Sequence, residues 1–157
     1  MITIRSYSAD RQDDFLTLNR ALMDHYRLAP ATQEEETTLT RLMSAGRYLT
    51  CEIAYLDDRP VGFTTWLLVY PTGASLSMFM KELFVVPDAQ GSGIGRRLMM
   101  NLVGIAGREG CKRIDWQTDH DNVAARAFYE RLGVNEINKI SYRLTADQFG
   151  QFGIFER

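Results

Sequence analysis

The stretch from Leu83 to Leu98 constrains this chain more than any other. The apolar run Leu83-Phe84-Val85-Val86 is stopped by Pro87, and the turn Gln90-Gly91-Ser92-Gly93-Ile94-Gly95 opens onto Ile94, Leu98, Leu102 and Ala106. A continuous apolar run suits a strand covered on both faces. An i, i+4 stripe, widened here by Met99 and Val103, suits a helix laid against a core. A strand, a glycine-dense turn and a helix in immediate succession make an anion site. The glycines let the backbone approach a bulky ligand, and the free N–H groups and positive dipole end of the new helix favour phosphate oxygens. Arg96 and Arg97 add positive charge there. Two common phosphate loops fail on spacing. A dinucleotide fingerprint needs GxGxxG, whereas these glycines stand at 91, 93 and 95, and a P-loop needs GxxxxGK where this chain has Arg96.

The segments around this turn read as alternating patterns. Ile2, Ile4 and Tyr7 give a short strand, and Ser8-Ala9-Asp10 starts a helix whose face carries Phe15, Leu18, Leu22 and Tyr26. Pro30 separates it from a second helix that opens with a capping box, Thr32 with Glu35, and ends at Gly46. Two β-rich runs, Tyr48 to Leu56 and Val61 to Tyr70, flank the turn Asp57-Asp58-Arg59-Pro60 as a hairpin, and a third runs from Ser75 to Val86. Beyond the glycine turn come a helix over residues 93–108, a strand at Arg113 to Thr118, and a helix from Asn122 to Leu132 ended by Gly133. Extended residues follow around Ile137 and from Ile140 to Leu144. No internal repeat or linker interrupts this order.

At 157 residues the chain has the size of one domain, and its 18 basic against 20 acidic residues leave a net charge of -2, with no overall positive field to hold a nucleic acid. Cys51 and Cys111 lack metal-binding spacing and sit in apolar stretches, which points to two buried thiols in a reducing compartment and to no metal site. The amino-terminal residues carry no basic-then-apolar leader, and no apolar stretch reaches membrane-spanning length, so a cytoplasmic protein is expected.

The segment Gln90 to Gly95 resembles motif A of the GNAT superfamily of N-acetyltransferases, Gln/Arg-x-x-Gly-x-Gly/Ala, matched by Gln90, Gly93 and Gly95. Residues 121–133 resemble its motif B, Asn-x-x-Ala-x-x-x-Tyr-x-x-x-Gly, matched by Asn122, Ala125, Tyr129 and Gly133. The resemblance covers most of the chain. It implies one α/β (α+β) domain over residues 1–157, with a mixed sheet of about six to seven strands splayed at the cofactor site and about four flanking helices. It implies acetyl-CoA as co-substrate, with no metal. Leu83, Phe84 and Val85 would present backbone groups to the pantetheine arm. Gln90, Gly91, Ser92, Gly93, Ile94, Gly95 and Arg96 would hold the pyrophosphate, and Asn122 would contact the cofactor besides capping its helix. Tyr129 lies at the flank of the stripe Ala124, Phe128 and Leu132. The resemblance makes it the acid that protonates the coenzyme A sulfur.

Acetyl transfer to an amine also needs a base, because an alkyl ammonium titrates near pH 10.4, roughly. Glu82, just before Leu83, is the candidate, with Glu52, Asp115 and Asp119 as alternatives. His120 reads as a solvated turn residue, and His25 as a helix-surface residue or part of the acceptor wall. Glu34, Glu35 and Glu36 suit a helix's first turn and could also attract a cation. The segments Lys81 to Val85, Trp116-Gln117-Thr118 and Ser141 to Leu144 resemble the branch acting on diamines, polyamines and amino acids, which implies a small-molecule amine as acceptor. A protein or peptide amine, and a catalytically silent acyl-CoA-binding domain, are the alternatives. Phe149, Phe152 and Phe155, three apart, point to docking on the same domain or in a homodimer.

Overall fold

The computed structural model describes residues 1–152, apart from the side chain of Phe152. The chain parts into two compact units, residues 1–119 and the segment from His120 onward. The first unit holds the sheet. Its strands are β1 (Ile2–Ser6), β2 (Thr50–Leu56), β3 (Arg59–Val69), β4 (Ser77–Val85) and β5 (Ile114–Asp115), with helices α1 (Gln12–His25), α2 (Gln33–Ser44) and α3 (Ile94–Arg108). The second unit carries α4 (Val123–Arg131) and a 3-10 stretch at Ala146–Phe152.

Strand order follows chain order, β1-β2-β3-β4-β5, antiparallel through β4 and parallel between β4 and β5. The β2–β3 hairpin is tighter than the sequence suggests. Its loop is Asp57-Asp58 alone, both with positive φ, 49° and 65°, and Pro60 already pairs with Tyr55 inside the strand. Two residues with positive φ form the turn whose twist matches that of the flanking strands. α2 starts where its capping box stands: the Thr32 side chain accepts from Glu35 N–H at 3.2 Å and the Glu35 carboxylate accepts from Thr32 N–H at 2.7 Å.

Side-chain alternation sorts the sheet into two covered faces. On one, Cys51, Ile53 and Phe63 pack with Phe84 against Phe15, Leu18 and Leu22 of α1 and Met43 of α2. On the other, Ala54, Val61 and Val85 meet Ala89, Ile94 and Leu98. Burial of Ile94, Leu98, Met99, Leu102 and Ala106 matches the expected α3 stripe, but Val103 is 60% exposed and Ile105 is buried in its place.

Other expectations change. The described residues hold five strands rather than six or seven, because the residues around Ile137 and from Ile140 to Leu144 take no regular structure; Ile137, Ile140 and Tyr142 are exposed. Apolar alternation makes a strand only where a neighbouring edge pairs with it. The run Arg113 to Thr118 contributes only Ile114 and Asp115. In α4 the stripe Ala124, Phe128, Leu132 is not a buried core: Ala124 is exposed and the other two are half-buried. Cys51 is buried as expected, whereas Cys111 is half-buried. Among the described residues no helix is long and apolar enough to cross a membrane. Phe155 and the side chain of Phe152 lie outside the described residues, and Phe149 is 40% exposed.

Candidate active site

β4 is the strand around which the site forms. Only Met78 and Phe79 pair with β5, opposite Ile114 and Asp115, and the register against β3 then slips, with Thr65 opposite Glu82 and Trp66 opposite Met80. Lys81 is thus the extra residue of a β-bulge, a feature that bends a strand locally. From Glu82 to Val85 the strand pairs with β3 on one side, while no described strand pairs with its other edge. The bulge stands just before Leu83, Phe84 and Val85, where the splay is expected, and the β4–β5 ladder has already stopped at Phe79. The side chains of Phe84 and Val85 are buried, so these residues offer a ligand their backbone only.

The chain leaves β4 through one 3-10 turn, Pro87–Ala89, in which Pro87 supplies a ready-set φ. Gly91 and Gly93 then take φ of +76° and +85°, and a Cβ on either would meet nothing within 4 Å. Backbone conformation, not crowding, calls for glycine here. Gly93 is the cap of α3, and the first intrahelical bond runs from Arg97 N–H to Gly93 C=O at 3.0 Å. The amides up to Arg96 therefore precede the helical ladder and form the donor-rich end of a long helix. Two side chains fix the turn: Gln90 donates from Nε2 to the Val85 carbonyl at 3.0 Å, and the Ser92 hydroxyl donates to the Ala89 carbonyl. Ile94 is an anchor, buried in the core beneath the turn. The two arginines divide. Arg97 donates to the Ile2 carbonyl at 3.1 Å and so ties α3 to β1, whereas Arg96 is exposed and makes no ion pair among the described residues.

Glu82 sits on β4 on the face that carries Phe84, since the two alternate in step. Burial pushes its carboxyl above the usual glutamate range, and Lys81, with Nζ 3.7 Å from Oε1, partly opposes that shift. His25, at the end of α1, comes over the same strand: its ring lies 5.9 Å from that of Phe84 and 5.2 Å from that of Tyr26. The sequence could place His25 only at a helix end, because its proximity to β4 depends on how α1 packs.

The alternatives to Glu82 are held elsewhere. Glu52 is 5% exposed on the α3 face, where both its oxygens accept from Ser6 Oγ at 3.1 Å and Asn101 Nδ2 donates to one at 3.4 Å. Asp115 is bound by Arg113 at 2.7 Å. Asp119 is exposed in the loop after β5. Among the described residues no group of His, Cys, Asp and Glu is arranged to hold a metal.

In the second unit Asn122 caps α4, its side chain accepting from Ala125 N–H at 3.1 Å. Tyr129 is half-buried, its ring 5.1 Å from that of Phe128. Gly133 ends the helix at φ +79°, donating to the Glu130 carbonyl. His120 is exposed, and its carbonyl accepts from Arg126 at 3.2 Å.

A mixed sheet whose fourth strand carries a bulge and runs through positive-φ glycines into a helix amino terminus defines an α+β fold with a candidate anion site at that helix end. Comparison with known proteins says which. The sequence model of the Acetyltransferase (GNAT) family matches residues 13–134, and the chain belongs to that family. The chain is 41% identical over 88 residues to the uncharacterized N-acetyltransferase YhfO of Bacillus subtilis, an alignment covering 54% of this chain and 57% of that protein. It is 24% identical over 140 residues to the thialysine N-epsilon-acetyltransferase of Mus musculus, covering 80% and 79%. Among solved structures, an integron cassette protein from the mobile metagenome of V. cholerae superposes with a TM-score of 0.82 at 27% identity, over 98% of both chains. The chain thus spans little more than half of the Bacillus relative's length.

Proposed function

We propose that this chain is an N-acetyltransferase that moves the acetyl group of acetyl-CoA to a primary amine of a small molecule. The observation that carries this reading is the open half of β4 continuing into the α3 amino terminus, with Glu82 on the same strand. The residues present suit the donor: a strand edge that no described strand pairs for an amide-rich arm, and helix amides with Arg96, which makes no ion pair among the described residues, for a pyrophosphate. In this reading Leu83, Phe84 and Val85 align the arm, Gln90 to Arg96 hold the phosphates, and Asn122 adds a contact. The family match runs unbroken past residue 119, which supports treating both units as one catalytic domain.

Acetyl-CoA supplies an acyl thioester open to attack by an amine. Glu82 takes the proton that the acceptor ammonium must lose, and the burial that raises its carboxyl brings it closer to a base suited to neutral pH. Tyr129, on the motif B helix, gives a proton to the departing thiolate. A small cationic amine suits a wall containing Glu82 and His25, and the thialysine enzyme of mouse is a relative in keeping with an amino-acid or diamine acceptor. Cytoplasmic location accords with the two free thiols, and homodimerisation with the exposed Met100 and Val103 of α3.

The test is coenzyme A release measured against a panel of diamines, polyamines, amino acids and short peptides. Turnover of a small amine, lost by at least tenfold in Glu82→Gln and in Tyr129→Phe, is the expected result. Cofactor binding without turnover of any amine would make the chain a silent acyl-CoA-binding domain, and unchanged turnover in Tyr129→Phe would remove the tyrosine as acid.

A further inference from the structure

Across the sheet, on the face covered by α1 and α2, the register sets three residues side by side: Cys51 on β2 opposite Thr65 on β3, and Thr65 opposite Glu82 on β4. Thr65 is 3% exposed, and its hydroxyl is buried with no hydrogen-bond partner among the described residues. That is unusual, because a buried hydroxyl without a partner carries its full desolvation penalty, and native proteins satisfy most such groups. The neighbouring Thr64, on the other face, does what a strand threonine ordinarily does and donates to the Glu82 carbonyl at 2.8 Å. Of the two side chains flanking Thr65, Cys51 is a fully buried thiol that burial keeps protonated at neutral pH, a weak partner for a hydroxyl. Glu82 is the strong acceptor. Directly opposed residues on adjacent strands are about 5 Å apart at Cβ, a span that one rotamer change or one bridging water closes.

We propose that Thr65 is a positioning residue for Glu82: its hydroxyl donates, directly or through one water, to the carboxylate and holds it in the rotamer that receives the acceptor's proton. The proposal rests on the reading of Glu82 as base. Donation to the charged form lowers a carboxyl's pKa, so Thr65 works with Lys81 against the burial that raises it. The other titratable groups that the structure places at this face are His25 of α1, whose ring lies over Phe84, Tyr7, which packs on the same cluster and whose N–H donates to the Cys51 carbonyl, and the thiol of Cys51.

The experiment follows the glutamate carboxyl carbons by NMR through a pH titration, with the Glu82 resonance assigned by its absence in Glu82→Gln. Thr65→Val keeps the shape and removes the donor, Thr65→Ser keeps the donor, and Thr65→Ala stands in should the valine variant not fold. The Glu82 midpoint rises by about half a pH unit or more in the valine or alanine variant and returns in the serine variant. With an amine that the wild type acetylates, kcat falls about tenfold in the valine variant, KM for acetyl-CoA stays within about twofold, and serine restores the rate. A wild-type midpoint and rate in a folded Thr65→Val, with Glu82→Gln inactive, overturns this proposal and leaves the base standing. Full turnover by Glu82→Gln overturns both.

Discussion

Gly93 shows how much one backbone angle can hold in place. Its φ of +85° lets the chain turn from the β4 exit into α3 while the helix amides stay uncovered, and a side chain there would touch nothing. The cost of Gly93→Ala is therefore conformational, about 1–2 kcal/mol for an L-residue held in the left-handed region. Urea denaturation should show that loss, and isothermal titration with acetyl-CoA should show weaker binding, because a turn that relaxes its φ re-aims the amides. A second residue-scale prediction concerns Lys81. Burial raises the Glu82 carboxyl and Lys81 lowers it, so the carboxylate that the proposed base requires is lost as pH falls through a midpoint above the usual glutamate value. Removing the cation with Lys81→Met should move the acid limb of kcat/KM further up in pH. A limb that stays put would mean that Glu82 is not the group being titrated.

Among elements, the buried Glu52 joins three of them, through Ser6 at the end of β1, its own β2, and Asn101 of α3. Burial raises its carboxyl and the two donors oppose this without cancelling it. With the folded pKa above the unfolded one, the folded state holds the proton more tightly, and stability is greatest below the unfolded value of about 4.3. It falls as pH rises to the folded midpoint and stays reduced above it. Glu52→Gln keeps an acceptor for Ser6 and has no charge to bury, so thermal melts should find it at least as stable as wild type at pH 8, its advantage shrinking toward pH 4. A lower Tm than wild type at pH 8 would show that the carboxylate is worth more than its burial costs.

The same elements show what could be read from the chain alone. β4, the glycine turn and α3 were legible because glycine, proline and the i, i+4 stripe are local marks, and so was the capping box of α2. The bulge at Lys81 was not, because lysine carries no turn signal and the slip exists only against β3. The row Cys51, Thr65 and Glu82 was hidden for the same reason: three residues in three separate runs become neighbours only through register. Val103 and the residues from Ile140 to Leu144 mark the opposite failure, where an apolar pattern suggested burial or pairing that the fold does not supply.

For the whole molecule, ligand binding and stability are linked, and this tests the donor site without knowledge of the acceptor. A ligand that binds only the folded state at a hundred times its Kd adds about 2.7 kcal/mol. For a chain of this size each kcal/mol moves Tm by about 2–4 °C, so acetyl-CoA at that excess should raise the melting temperature by roughly 5–11 °C. The two halves of the proposed site can then be separated by probe. The helix amides and Arg96 should recognise the diphosphate of ADP, whereas the open edge of β4 should recognise only ligands that carry the pantetheine arm. At equal concentration ADP should therefore produce a smaller shift than coenzyme A. Arg96→Ala should reduce the shifts from both, and Arg97→Ala, whose side chain is spent on the Ile2 carbonyl, should lower the starting Tm while leaving the increments in place. Equal shifts from ADP and coenzyme A would confine recognition to the glycine turn and remove β4 from the donor site.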